Sequence, residues 1–332
     1  MLAGVRVRIM IILLFAVVVG GCGGGEEAPG DGGAGVDAAA VDASALPDSG
    51  VRPDAGPSGC GGAGLEAGDH TMTIDWDDRT RTYHVHVPPS YDGSAAVPLV
   101  LNFHGYTSNA GQQIVLSGMN EKADAEGFIA VHAEGWGGAQ SWNGGLCCGA
   151  ASSEELDDVG LVRAVLDDVA ALACIDRARV YATGMSNGGF LSHRLGCQAG
   201  DVIAAIAPVA GVIGIPDEEC TPPRAVPVMH FHGTSDTLVP YDGGGFSGFP
   251  SVADTMAGWV ERNGCTIGPD ETYAMGDSRC ETWTGCSGGV SVTLCTVEGG
   301  GHWWPGGPGS TTDIDATEAM WEFLSAYSLH AS

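Results

Sequence analysis

Val180-Tyr181-Ala182-Thr183-Gly184-Met185-Ser186-Asn187-Gly188-Gly189-Phe190 reads as a buried strand that turns sharply into a helix. Within it, Gly184-Met185-Ser186-Asn187-Gly188 fits G-x-S-x-G, the pattern of a nucleophile elbow. A serine on such a turn projects its hydroxyl above the sheet. The flanking glycines are needed because a Cβ there collides with the neighbouring strand and helix. The helix that follows offers free N–H groups and a positive dipole end to a developing oxyanion. The pattern is short and the chain is rich in glycine, so the elbow needs support from the residues around it.

Upstream, residues 71–76 and 82–87 alternate like half-buried strands, with Asp77-Asp78-Arg79 as the turn between them. Residues 97–103 are nearly continuous apolar sequence, as in a parallel strand covered on both faces, and lead into His104-Gly105-Tyr106-Thr107. A helix is expected over 112–125, a strand over 127–132 and a helix over 157–173. Downstream, the elbow helix covers 187–197, strands cover 202–209 and 226–231, and a helix covers 252–263. Strands at 280–284 and 290–297 and an amphipathic helix over 316–329 complete the chain. Strands alternating with helices imply βαβ units and a mostly parallel sheet with right-handed crossovers. With antiparallel edge strands at the N-terminal side and helices on both faces, this is the α/β-hydrolase layout. Its catalytic groups belong at the carboxyl ends of the strands.

A serine nucleophile needs a base, and the base needs an orienting carboxylate, in chain order Ser, Asp or Glu, His. Five histidines follow Ser186: His193, His230, His232, His302 and His330. His193 falls two turns into the elbow helix, His230 and His232 belong to a strand, and His330 is in the terminal tail. His302 follows Glu298-Gly299-Gly300-Gly301 directly after the last strand, where a glycine run can bring an imidazole over the sheet edge. His302 is therefore the expected base. Asp236, just beyond the strand ending at Phe231, is the expected acid, with Asp242 and Glu298 as alternatives. The N–H groups of Asn187 and Tyr106 are the expected oxyanion donors. The His104 side chain is expected to pack its loop rather than carry a proton.

Several ordered motifs extend the pattern. They are His104-Gly105, Ser141-Trp142-Asn143-Gly144-Gly145-Leu146-Cys147-Cys148-Gly149, Asp157-Asp158-Val159-Gly160, the elbow, His232-Gly233-Thr234-Ser235-Asp236 and Gly299-Gly300-Gly301-His302-Trp303-Trp304-Pro305-Gly306. Together they resemble the secreted polyhydroxybutyrate depolymerase and feruloyl esterase family of α/β-hydrolases, over about residues 65–328. The resemblance implies a serine carboxylic ester hydrolase, without cofactor, acting on polyester or on acyl groups of plant polysaccharide. Tyr106 stands where relatives often carry other residues.

The ends and the composition set the context. Arg6 and Arg8, an apolar run over 9–19, and Val19-Gly20-Gly21-Cys22 read as a signal peptide with a lipobox over residues 1–21, and imply acylation of Cys22. Residues 23–58 are dominated by Gly, Ala, Asp and Pro with no aromatic, and read as a disordered acidic tether. The catalytic domain is expected from Cys60 onward. The net charge of −28 leaves no basic footprint for nucleic acid. The expectation is thus an exported monomer, either held by lipid alone to the cell envelope, at the outer membrane, or extracellular. Eleven cysteines less Cys22 suit five disulfides. Adjacent Cys147 and Cys148 lie about 3.8 Å apart if their peptide is trans, so each is expected to pair elsewhere. Cys265, Cys280, Cys286 and Cys295 make two local bridges of open connectivity, and Cys197 pairs with Cys220.

Trp136, Trp142, Trp303 and Trp304 fall in loops at the catalytic edge. They serve either as ring-binding platforms or as loop packing; Trp142 and Trp303 are the expected substrate contacts. His84-x-His86 and His230-x-His232 each place two imidazoles on one strand face, but no further ligands suggest a metal. Asp157 and Asp158 read as helix N-terminal residues. Two other functions fit the same fold: a serine peptidase, and a non-catalytic carbohydrate-binding surface protein.

Overall fold

The computed structural model describes Cys60 and residues 64–329. The signal peptide, Cys22, the tether and His330 lie outside the described residues. Strands β1 (Gly68–Trp76) and β2 (Arg79–Val87) form an antiparallel hairpin. Asp77 and Asp78 turn it with φ of 53° and 56°, a left-handed conformation that Asp tolerates better than most residues. Strands β3 (Val97–Phe103), β4 (Ile129–Ala133), β5 (Ile175–Met185), β6 (Ala205–Val209) and β7 (Val228–Gly233) follow. The last three are β8 (Ile267–Met275), β9 (Ser278–Thr284) and β10 (Val292–Val297). They join one ten-stranded sheet in the order β1-β2-β4-β3-β5-β6-β7-β10-β9-β8. Its middle, from β4 to β10, is parallel; both edges are antiparallel hairpins.

The parallel strands are buried on both faces, which is why they read as continuous apolar runs. Leu99, Leu101 and Phe103 of β3 face one cluster, and Val100 faces the other. The first cluster receives α4 (Asp158–Leu172), α5 (Asn187–Gln198) and α6 (Val252–Arg262). The second receives α2 (Met119–Glu126) and α7 (Ala316–Ser325), while the short α3 (Gly149–Ser153) lies between β4 and α4. Each large side chain so buried contributes about 1.5–3 kcal/mol relative to exposure.

Three differences from the sequence reading have physical causes. The helix expected over 112–125 is two helices, α1 (Ala110–Ser117) and α2. Gly118 at φ 61° ends the first, its N–H bonding to the Ile114 carbonyl. Strand β8 was unreadable because almost every residue in it is exposed, so no apolar alternation marks it. Cys147 and Cys148 bond to each other: their peptide is cis and their Cα atoms are 3.1 Å apart, so the trans spacing does not apply. The other disulfides are Cys60–Cys174, Cys197–Cys220, Cys265–Cys286 and Cys280–Cys295. Among the described residues, no helix is long and apolar enough to cross a membrane.

Candidate active site

Ser186 stands between the last residue of β5 and the first of α5, at φ 55° and ψ −117°. A non-glycine residue there costs on the order of 1–3 kcal/mol and persists only where its surroundings enforce it. Here the Ser186 N–H bonds to the Val209 carbonyl of β6 at 2.8 Å, and the Phe190 N–H to the Ser186 carbonyl at 2.9 Å. The flanking glycines explain themselves. A Cβ on Gly184 would come 2.5 Å from the Phe103 carbonyl oxygen, and one on Gly188 would strike the same carbonyl. Gly188→Ala should therefore cost at least the about 3 kcal/mol that marks the upper range of overpacking, read as a lowered urea midpoint.

The β3 strand ends beside the elbow. Gly105 lies so close that a Cβ on it would sit 3.4 Å from the Ser186 Cβ. His104 is fully buried. Its Nδ1–H donates to the Gly105 carbonyl at 2.7 Å, and its Nε2 accepts the Gly135 N–H at 2.9 Å. Both ring nitrogens are thus spent on backbone, and burial lowers the imidazole pKa, so His104 is a neutral brace, as its sequence context suggested. Tyr106 is 42% exposed, its ring lying over Gly149. The Asn187 N–H, at the first position of α5, has no intrahelical partner.

Asp236 and His302 meet across two loops that leave the carboxyl ends of β7 and β10. The loops are laced together: Thr234 N–H bonds to the Val297 carbonyl at 3.0 Å and Ser235 N–H to the Gly300 carbonyl at 2.8 Å. His302 Nδ1 donates to Asp236 Oδ2 at 2.6 Å. Asp236 Oδ1 accepts the N–H groups of Leu238 and Val239, each at 2.9 Å. Burial alone would raise this carboxyl, but hydrogen bonds from His232 and His302 outweigh it and hold the group well below the usual carboxylate range. Of the alternatives, Glu298 accepts from the Thr234 hydroxyl at 3.3 Å, and Asp242 is exposed. Asp236 is the carboxylate that meets His302.

A depressed folded-state pKa adds stability that is full above the unfolded value of about 4 and vanishes as pH falls through the folded value. Asp236→Asn should thus destabilise the protein at pH 7, with the gap from wild type closing as pH drops towards 2 in urea titrations. If the pair works as a base and its orienting acid, the same variant lowers kcat by about 10⁴-fold.

The loop over 141–149 holds parts of the site that sequence reasoning missed. The Asn187 side chain pairs with the Trp142 backbone, accepting its N–H at 2.7 Å and donating to its carbonyl at 2.9 Å. Asn187 therefore clamps this loop to the elbow as well as presenting its own N–H. Trp142 itself is corrected from substrate contact to core. Its indole is fully buried, edge-on to Phe103 at 5.3 Å, and donates to the His104 carbonyl at 3.1 Å. Asp158, read only as a helix-start residue, is a buried anchor. It accepts from Arg81 Nη1 at 3.0 Å and from the Asn143 N–H at 2.7 Å. Asp157 is the helix N-cap, accepting from the Gly160 N–H at 2.8 Å. The clue to the clamp was the unusual length of the Ser141–Gly149 motif, whose partners lie far away in sequence.

Of the other tryptophans, Trp304 is buried and donates to Thr317 at 3.0 Å, and Trp136 lies 5.1 Å beneath the Arg79 guanidinium. Trp303, next to His302, is 56% exposed and lines a cavity of about 350 Å³ beneath the His302 loop. Tyr106, Leu146, Leu238 and Phe246 are also exposed, each on a loop that follows a strand of the parallel part of the sheet. His84 and His86 face carboxylates: His84 lies 3.3 Å from Glu134, and His86 lies 2.7 Å from Asp69 and 2.9 Å from Asp124.

A strained serine on a strand-to-helix turn, with a His–Asp pair at the ends of later strands of a mostly parallel sheet, defines an α/β-hydrolase. Solved structures agree on the fold. An acetyl xylan esterase from Aspergillus awamori superposes with a TM-score of 0.60 at 14% identity, covering 78% of this chain and 99% of that one. Thermogutta terrifontis esterase 2 superposes at 0.54 and 16% identity, covering 79% and 95%. The chain belongs to the Esterase PHB depolymerase family, whose model matches residues 81–252, more than half of it. Feruloyl esterase B of Piromyces equi is 36% identical over 230 residues, 66% of this chain and 42% of that protein. The chain thus spans less than half of that relative. Feruloyl esterase C of Emericella nidulans is 29% identical over 256 residues, 74% of this chain and 84% of that protein.

Proposed function

We propose that the protein is a serine carboxylic ester hydrolase that cleaves polyester or the acyl esters of plant polysaccharide. The observation that carries this is the 2.6 Å His302–Asp236 pair on the loops that follow β7 and β10, at the same edge of the parallel sheet where β5 ends at Ser186. His302 takes the Ser186 proton as the hydroxyl attacks the ester carbonyl. Asp236 stays ionised and holds the imidazole so that Nε2 is the free base. The Asn187 and Tyr106 N–H groups receive the tetrahedral oxyanion. His302 then gives its proton to the leaving alcohol, and water, deprotonated by the same ring, releases the acid from Ser186. No step needs a metal or cofactor.

The family match and the feruloyl esterase names of the relatives support the ester class. The exposed aromatic side chains of Tyr106, Phe246 and Trp303, on loops that follow strands of the parallel part of the sheet, suit an aromatic acyl group, which such rings can stack against. Five disulfides belong to an oxidising compartment, so the protein is exported. Acylation at Cys22, with residues 23–59 as tether, would keep a monomer at the cell envelope as a cell-bound enzyme for soluble fragments.

The test compares hydrolysis of methyl ferulate with that of a 3-hydroxybutyrate oligomer, each beside Ser186→Ala. Ferulate turnover alone assigns plant-wall deacylation; oligomer turnover alone assigns polyester cleavage. Absence of Ser186-dependent turnover of either, and of a short aryl acetate, refutes the esterase reading in favour of a binding protein.

A further inference from the structure

Behind Asp236 runs a line of three imidazoles that the reaction just described does not use. His230 and His232 lie two residues apart on one face of β7, and His193 faces them from α5. Their exposures are 0%, 1% and 0% respectively. The Trp259 indole of α6 donates to His193 Nδ1 at 3.0 Å. His193 Nε2 lies 3.2 Å from His230 Nδ1, and His230 Nε2 lies 3.0 Å from His232 Nδ1. His232 Nε2 ends the line, 2.8 Å from the Val239 carbonyl and 3.4 Å from Asp236 Oδ2.

The protons along this line are fixed by elimination. An indole nitrogen only donates, so His193 Nδ1 accepts and its proton sits on Nε2. That proton needs a lone pair on His230 Nδ1, which puts the His230 proton on Nε2. The same step places the His232 proton on Nε2. The far end demands the same answer, because a carbonyl and a carboxylate both only accept. Both ends therefore impose one direction, and every ring nitrogen in the line has a partner. A second proton on His193 or His230 would set two donors against each other. Burial also lowers both pKa values, that of His193 to about 3. Three buried imidazoles in a row are an expensive way to fill space that apolar side chains could occupy.

We propose that His193, His230 and His232 form a one-directional chain of neutral imidazoles, and that His232, at its end, is a positioning residue for the Asp236–His302 pair. This rests on the reading of Asp236 and His302 as acid and base. Asp236 Oδ2 then receives the His302 N–H at 2.6 Å and, from the other side, a longer 3.4 Å contact from the His232 N–H, whose nearer acceptor is the Val239 carbonyl at 2.8 Å, while Oδ1 receives two backbone N–H groups. The carboxylate cannot rotate without losing donors, so the His302 ring keeps the orientation that frees Nε2 for Ser186. The reverse tautomer of His232 would aim a lone pair at two oxygen atoms and loosen the carboxylate.

The test has a spectroscopic and a kinetic arm. In ¹⁵N-histidine-labelled protein, the three rings should show the neutral Nε2–H tautomer at pH 7, and His193 and His230 should not titrate between pH 5 and 8. A Nδ1–H or cationic form of any of them at pH 7 overturns the proposal, whatever the variants do. In the kinetic arm, His232→Phe should lower kcat on a short aryl acetate by about 10–100-fold with little change in KM, the worth of one hydrogen bond to a charged group. His232→Gln, whose amide can still donate, should recover most of that loss. Wild-type kcat in His232→Phe, with kcat collapsed in Asp236→Asn, overturns the chain alone. Wild-type kcat in Asp236→Asn overturns the acid–base reading instead.

Discussion

Ser186→Ala is expected to lower kcat on an aryl ester by a factor on the order of 10⁶ and to leave the fold intact. The size follows from the unit nature of the machinery: without the nucleophile, base and acid have nothing to activate, and only binding and oxyanion donors remain. Stability is spared because the elbow is held by backbone, through the Ser186 N–H on Val209 and the Phe190 N–H on Ser186, which alanine keeps. Alanine also keeps the 55° φ and its cost. Ser186→Gly relieves it, so the glycine variant should be equally inactive yet more stable than the alanine variant by about 1 kcal/mol. Thermal melts of the two beside wild type check this. Equal midpoints would mean the elbow stores no strain.

Asp158→Ala should be the most damaging substitution away from the reacting groups, costing about 3–5 kcal/mol. For a domain of this size that lowers Tm by about 10 °C. The Arg81 and Asp158 side chains are 4% and 0% exposed, so removing the carboxylate strands a buried guanidinium and leaves the Asn143 N–H without its acceptor. Burial raises the Asp158 carboxyl pKa, and Arg81 pulls it back without fully cancelling that rise. The pair is therefore worth little against an apolar replacement, while half of it is costly. Arg81 also lies 5.7 Å from the Trp142 ring, so the loss reaches the loop that Asn187 clamps. Urea melts of Arg81→Met, Asp158→Ala and the double variant test the coupling: the double should cost far less than the sum of the singles. Additive costs would show that the two groups do not act as a pair.

What was legible in the sequence is what a local pattern must encode. The elbow is legible because only glycine fits beside the Phe103 carbonyl, so the strain leaves a written trace at Gly184 and Gly188. His302 and Asp236 each stand just beyond a strand that the local pattern marks, and the structure pairs them at 2.6 Å. The Cys265, Cys280, Cys286 and Cys295 bridges were legible as a group because all four lie close together in sequence. Partners far apart in sequence were not legible. Arg81 and Asp158 are separated by 77 positions, and His193 and His230 by 37. Nothing in either local stretch signals the other. His230-x-His232 was visible as a strand motif, but its direction comes from Trp259 on another element. Trp142 misled for a related reason: in a loop a tryptophan can cover a core as readily as a substrate, and burial is decided by Phe103 and His104.

The role of Ser186 as nucleophile of an acyl transfer is decided by treating the purified protein with a p-nitrophenyl phosphonate and mapping the product by peptide mass spectrometry. One adduct is expected, on the peptide that contains Ser186, forming in step with loss of ester turnover and missing from Ser186→Ala. An adduct on any other residue, or turnover that persists with Ser186 replaced, would contradict that role.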